Sequence, residues 1–292
     1  MSATPLTDAP LIEARNLRIA FGRGEHAVPV VHGVSFTLGR EKLGIVGESG
    51  AGKSTVGRAL MRLLPPAARV TADQLAFRDI DLLAANERQM MALRGRRMGL
   101  ILQDPKYSLN PVVPVGDQIA EAWRLHHRGR AGAREAKERT LAILEAVKIR
   151  DPARVARLYP HEISGGMGQR VMIAMMLIAG PDVVIADEPT SALDVTVRLE
   201  VLHLLDELIE SRGLGLILIS HDLNLVRRFC DRVIIMYAGR VMETLRAADL
   251  DRAEHPYTRG LLASLPSIRH GQDRLPVLRR DPAWLAGAGG TP

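Results

Sequence analysis

Gly47-Glu48-Ser49-Gly50-Ala51-Gly52-Lys53-Ser54 fits the pattern G-x-x-x-x-G-K-[ST]. That pattern is chemistry for holding phosphates. Glycines carry no side chain and tolerate positive φ, so the chain can wrap closely around an anion. Successive backbone N–H groups then point at the anion. A helix opening at Lys53 adds the positive end of its dipole. Lys53 supplies a point charge for the β- and γ-phosphates, and the Ser54 hydroxyl a ligand for Mg2+. Thr55, the next residue, is grouped with the loop. At average residue usage a chain of this length matches the pattern by accident about once in a hundred. The context also fits, with an apolar strand before the loop and a helical pattern after it. Nucleotide binding is the implication.

Val183-Val184-Ile185-Ala186-Asp187-Glu188 is an apolar strand closing on two carboxylates. In a parallel sheet, ligands bind beyond the carboxyl ends of the strands. Asp187 is then placed to hold Mg2+, directly or through water, and Glu188 to orient or deprotonate an attacking water. Alone, the pair reads as solvated turn residues. Beside a phosphate loop, the metal-and-water reading takes over.

These groups need a scaffold. Residues 11–21 and Val34 to Leu38 alternate apolar and polar residues, as half-buried strands do. Lys42 to Gly47 reads as a short apolar strand. Lys53 to Leu64 has helical spacing and meets Pro65-Pro66. A strand is expected over Met98 to Gln103, then a mostly helical stretch from Val115 to Gly180. Further strands are expected at Val183 to Ala186, Gly215 to Ser220 and Val233 to Tyr237. Short apolar strands alternating with helices imply a parallel sheet covered on both faces. The antiparallel start and the helical middle read as additions to that α/β core.

Further segments resemble the ATP-binding cassette (ABC) family. Ile163-Ser164-Gly165-Gly166-Met167-Gly168-Gln169-Arg170 looks like its signature motif, usually LSGGQ. Gln103 looks like the Q-loop glutamine, His221 in Ser220-His221-Asp222 like the switch histidine, and Ser191-Ala192-Leu193-Asp194 like the D-loop. Phe21 matches the aromatic that stacks on adenine. Their order and spacing carry the resemblance, which covers about residues 11–259. It implies a P-loop NTPase with a RecA-like parallel sheet core, an antiparallel β subdomain and a helical subdomain at about residues 104–180. It implies ATP hydrolysis with Glu188, His221 and Gln103 in catalysis, and Mg2+ on Ser54, Gln103 and Asp187. Two subunits would sandwich two ATP molecules, with Ser164, Gly165, Gly166, Met167 and Asp194 serving the other copy's nucleotide. Physics agrees: Ser164-Gly165-Gly166 opens a helical pattern, a second anion-binding terminus in a chain that already has one.

Ile163, Met167 and Gly168 depart from the usual signature residues. Met at the fifth position resembles the peptide- and nickel-importer branch. So do Gln103-Asp104-Pro105 with Ser108-Leu109-Asn110-Pro111, and Leu158-Tyr159-Pro160-His161-Glu162. His255-Pro256-Tyr257-Thr258, Leu261-Leu262 and Pro266 resemble that branch's C-terminal extension. The resemblance then implies an importer motor for dipeptide, oligopeptide or nickel. Its partners would be transmembrane permease subunits, a second cassette (copy or paralogue) and, indirectly, an external solute-binding protein. A soluble ATPase of translation or DNA repair and a non-hydrolysing regulatory cassette stay as alternatives.

Composition bounds the rest. One cysteine, Cys230, rules out an intrachain disulfide and a multi-cysteine metal site, and its apolar neighbours make it a core residue. The N-terminal ten residues are polar and read as flexible, with no secretory signal. The longest apolar run, Val171 to Ala179, is too short to span a bilayer. A peripheral position on the cytoplasmic membrane face is expected. The net charge of +6 is mostly scattered arginine without interleaved aromatics, so it reads as a solvated surface rather than a nucleic-acid face. His126-His127 cannot share a helix face and is not a metal pair. Met172, Met175 and Met176 read as core, and His161 as structural. The cassette is expected over residues 11–254, and the extension over 255–292 with a disordered Gly-rich tail.

Overall fold

The computed structural model describes residues 9–105, 108–127, 132–191, 193–265 and 281–286. Most of the expected flexible N-terminus, Ala192 of the D-loop, Pro266 and the Gly-rich tail lie outside the described residues. The chain divides into two compact units. One combines Met1–Ala84 with Ile217–Pro292; the other is Ala85–Leu216.

The first unit opens with β1 (Ile12–Phe21), β2 (Val28–Leu38), β3 (Lys42–Gly47), α1 (Lys53–Leu60), β4 (Ala68–Thr71), β5 (Gln74–Phe77) and β6 (Ile80–Asp81). β1 pairs antiparallel with β2, β4 and β5, giving an antiparallel sheet in the order β2-β1-β5-β6. Along β1 the buried residues are Ile12 and Ala14, then Leu17 and Ile19. The alternation changes phase between them, where the register with β2 slips. Asn16 sits at the slip with φ 52°, a left-handed conformation that asparagine tolerates better than most residues.

The second unit holds α2 (Glu87–Leu93), β7 (Met98–Ile101), α3 (Val115–His126), α4 (Ala133–Ala146), α5 (Pro152–Val155), α6 (Gly165–Leu177), β8 (Val183–Asp187) and α7 (Val195–Arg212). β7 and β8 are parallel neighbours, with Ile101 opposite Ala186. α6 packs against α3, α4 and α7. Val171, Met172, Ile173, Ala174 and Leu177 are buried along it, so it is covered on nearly all sides.

The boundary between units falls within β9 (Gly215–Ser220). The chain then continues through α8 (Leu223–Phe229), β10 (Arg232–Tyr237), β11 (Arg240–Arg246), α9 (Pro256–Ala263) and α10 (Ala283–Ala286). In the first unit four strands follow the order β11-β10-β3-β9. β10 is parallel to β3 and antiparallel to β11. β3 is buried from Leu43 to Gly47, as expected of a strand covered on both faces. Cys230 is buried beside β3, where a Cβ on Gly44 would come within 3.3 Å of its sulfur.

Several expectations need correcting. The helix after the phosphate loop ends at Leu60, not Leu64. The Arg62 N–H donates to the Ala59 carbonyl and the Leu63 N–H to the Arg58 carbonyl, both at 2.9 Å, with Arg62 left-handed at φ 48°. This is a Schellman stop with arginine in glycine's usual place, made before the prolines are reached. The strand expected to reach Gln103 ends at Ile101, and Val34 to Leu38 is only the second half of β2. Met172 is fully buried, but Met175 and Met176 are half-buried. β4, β5, β6, α2 and β11 were not foreseen. Among the described residues no helix is long and apolar enough to cross a membrane.

Candidate functional site

In the first unit the phosphate loop links β3 to α1. Gly50 (φ 81°) and Gly52 (φ 90°) take left-handed conformations that favour glycine. Among the described residues nothing lies within 4 Å of a would-be Cβ on Gly50, so its positive φ is what demands glycine there. Gly47 is demanded by space: its Cβ would lie 2.1 Å from the Met236 carbonyl oxygen. The Lys53 side chain is 6% exposed, and its ammonium donates to the carbonyls of Gly47 at 2.8 Å and Glu48 at 2.9 Å. Lys53 is therefore held over the loop by the loop itself. Ser54 and Thr55, on the first turn of α1, are half-buried, and Ser49 and Gly50 are exposed at the loop tip. Phe21 closes β1 and is half-exposed.

His221 is exposed one residue past β9, the neighbour of β3. Its flanks are fixed. Ser220 accepts the Asp222 N–H at 3.0 Å, and Asp222 caps α8 by accepting the Leu225 N–H at 3.1 Å.

The turn between β10 and β11 braces the loop from outside. The Gly239 N–H donates to the Ala51 carbonyl at 3.1 Å, and the Gly239 carbonyl accepts the His32 N–H at 2.8 Å. Gly239 has φ 76°, and a Cβ there would lie 2.0 Å from the Val30 carbonyl oxygen. Gly239→Ala is expected to cost at least about 1–3 kcal/mol, from the positive φ together with the clash on the Val30 carbonyl. The denaturant midpoint checks this, and an unchanged midpoint would refute it.

In the second unit, Gln103 lies two residues beyond β7, while Asp187 ends β8. Because β7 and β8 are parallel and in register, Gln103, Asp187 and Glu188 lie at or just past the carboxyl ends of the pair. Asp187 is 6% exposed, a buried carboxylate at a strand end. Glu188 follows at φ 49°, left-handed and half-buried. Its carbonyl accepts from the Ser191 N–H at 3.3 Å and the Ser191 hydroxyl at 3.2 Å. A non-glycine residue held in this region is strained, and such strain gathers at functional sites.

Ser164 caps α6, its hydroxyl accepting the Met167 N–H at 3.3 Å. Ser164 and Gly165 are exposed, so this helix terminus faces solvent. Asp194 caps α7 by accepting from the Thr196 and Val197 amides, each at 3.1 Å. The starts of the two helices touch: a Cβ on Gly166 would lie 2.7 Å from Val197 Cγ1. Asp194 therefore has a structural duty that its motif did not announce. His161 is exposed and stacks on Tyr159. His127 stacks on Trp123 at 4.6 Å, with Nδ1 2.9 Å from the Trp123 carbonyl.

The ABC transporter family model matches residues 31–191. The chain belongs to the ABC transporter family. A probable peptide ABC transporter ATP-binding protein of Sinorhizobium fredii is 46% identical, over 95% of this chain and 83% of that protein. The dipeptide transport ATP-binding protein of Haemophilus influenzae is 44% identical, over 92% and 82%. The oligopeptide transport ATP-binding protein of Salmonella typhimurium is 43% identical, over 94% and 82%. A solved ATP-binding cassette, a dimer in a post-hydrolysis state bound to ADP and Pi, has a TM-score of 0.69 at 26% identity, covering 81% of this chain and 98% of that one.

As an ABC transporter subunit, the chain has the P-loop NTPase fold and is an ATPase. Its glycine cradle and buried Lys53 fit a nucleotide's phosphates, and the buried Asp187 carboxylate fits a hard cation. Sequence pattern does not single out Gly239. The signal that could have found Gly239 is the Tyr-Ala-Gly-Arg turn between two apolar strand patterns.

Proposed function

We propose that this chain is the ATP-hydrolysing motor of an importer for peptides, acting at the cytoplasmic membrane face beneath permease subunits. The observation that carries this reading is the set of relatives named for peptide, dipeptide and oligopeptide transport, at 43–46% identity over 92–95% of the chain. The ATPase cassette is assigned to residues 11–254, and residues 255–292 to the importer-type extension.

The residues receive these roles. Phe21 stacks on the adenine. Gly47, Glu48, Ser49, Gly50, Ala51, Gly52, Lys53, Ser54 and Thr55 wrap the phosphates, with Lys53 neutralising charge. Ser54, Gln103 and Asp187 would hold Mg2+, which when bound draws charge from the β- and γ-phosphate oxygens. Glu188 orients the attacking water and accepts its proton, and His221 contacts the γ-phosphate. Little covalent chemistry is left for the protein, so positioning and electrostatics carry the rate.

Ser164, Gly165, Gly166 and Met167, with Asp194, are assigned to the nucleotide of a second cassette. ATP drives closure of the pair only if the closed state binds it more tightly than the open one. Contacts from two subunits to one γ-phosphate supply that difference, and hydrolysis removes it. The second cassette is a copy or a paralogue, and an external solute-binding protein delivers cargo to the permease.

Deleting the gene in its host is the test. Uptake of labelled di- and oligopeptides is expected to fall to background and to return with the wild-type gene but not with a Glu188→Gln copy. Unchanged peptide uptake, with loss of nickel or another solute, would overturn the peptide assignment.

A further inference from the structure

We propose that Tyr257, on α9, is a positioning residue for the phosphate loop, its hydroxyl holding the Glu48 amide and so setting nucleotide affinity. The proposal rests on the nucleotide-binding reading above, and its test separates the two.

The Glu48 N–H donates to the Tyr257 hydroxyl at 3.4 Å, joining residues 209 positions apart. Tyr257 is fully buried. A phenol taken out of water requires a partner, whereas phenylalanine would fill the same space without one. Choosing tyrosine here costs desolvation, and the bond from the loop amide to the phenol oxygen offsets part of it.

The ring cannot wander. It packs against Tyr237 with centroids 4.7 Å apart, and Trp284 meets both rings edge-on, at 5.7 Å and 5.9 Å. The start of α9 is pinned as well. His255 Nδ1 accepts the Tyr257 N–H at 3.1 Å, and the Glu243 carboxylate accepts the N–H groups of Glu254 at 2.8 Å and His255 at 3.3 Å.

The loop backbone is thus gripped at two points outside its glycine cradle. Gly239 takes the Ala51 carbonyl, and Tyr257 takes the Glu48 amide. Between these points lie Ser49 and Gly50, the exposed tip. Tyr237 directly precedes the Ala238-Gly239 turn, so one aromatic cluster supports both grips. Fixing the loop before a ligand arrives lowers the ordering cost of binding. This gives the C-terminal segment beyond β11 a direct hold on the nucleotide site.

The test compares Tyr257→Phe with Tyr237→Phe in the full chain. The second variant removes a hydroxyl from the same cluster that, among the described residues, makes no hydrogen bond to the loop. Titration with Mg-ADP is expected to show about a two- to tenfold higher Kd for Tyr257→Phe and no change for Tyr237→Phe. Amide exchange across residues 47–52 without nucleotide is expected to quicken in Tyr257→Phe alone. A wild-type Kd and wild-type exchange in Tyr257→Phe would overturn the proposal. So would equal changes in both variants, or a lowered Tm with no change in Kd, because these report cluster packing. If the wild-type chain fails to bind Mg-ADP, the nucleotide reading falls, and the exchange arm still decides whether Tyr257 holds the loop.

Discussion

Glu188→Gln is expected to bind ATP as the wild type does and to hydrolyse it about 10²–10⁴ times more slowly. The two side chains are isosteric, so packing is kept and only the carboxylate's basicity is lost. Glu188 sits one residue past the buried Asp187, left-handed at φ 49°, with its carbonyl tied to Ser191. The turn is over-determined by these bonds, so glutamine inherits the same backbone. Asp187 and Lys53, which carry the metal and phosphate duties in the proposed mechanism, are untouched. Nucleotide titration and steady-state phosphate release measure the two halves of the prediction. Near-normal turnover would remove Glu188 from the role of water-handling base. Lost ATP binding would show instead that the side chain is structural.

Gly165→Asp is expected to leave stability and the chain's own nucleotide affinity unchanged and to reduce turnover about a hundredfold or more, the scale set by losing one aligned donor to a transition state. Gly165 is the first residue of α6 and is exposed. Among the described residues its would-be Cβ meets only Leu193 Cδ2, at an ordinary 3.8 Å. Its φ is not positive, so the chain's own fold does not require glycine there. An aspartate at the start of a helix is mildly favourable. The harm is expected only when a second cassette presents its phosphates to this helix terminus, because a carboxylate there repels them and fills their space. Gly166 is a poorer probe, since a Cβ there would crowd Val197 at 2.7 Å and mix folding with function. Thermal unfolding, Mg-ADP titration and ATPase rate together check this. Wild-type turnover in Gly165→Asp would sink the shared-site reading.

The sequence by itself determined the phosphate loop, the bounds of β3, the acid pair closing β8 and the family. Each of these is local: glycines in a fixed pattern before Lys53, an unbroken apolar run at Lys42 to Gly47, a strand that ends in carboxylates. Local chemistry can be read without knowing what lies across the fold. β6 has two residues, α2 seven, and β11 is half-exposed along most of its length. Such elements show too little apolar periodicity to be found from pattern.

Only the tertiary structure decided how the loop is held. Glu48 meets Tyr257 across 209 positions, and Ala51 meets Gly239 across the strands between them. The end of α1 at Leu60 was likewise a matter of backbone geometry: Arg62 takes a left-handed conformation that the sequence assigns more readily to glycine. The strain at Glu188 and the burial of Asp187 belong to the same class. Burial and strain arise from what surrounds a residue, and those surroundings are assembled from distant parts of the chain.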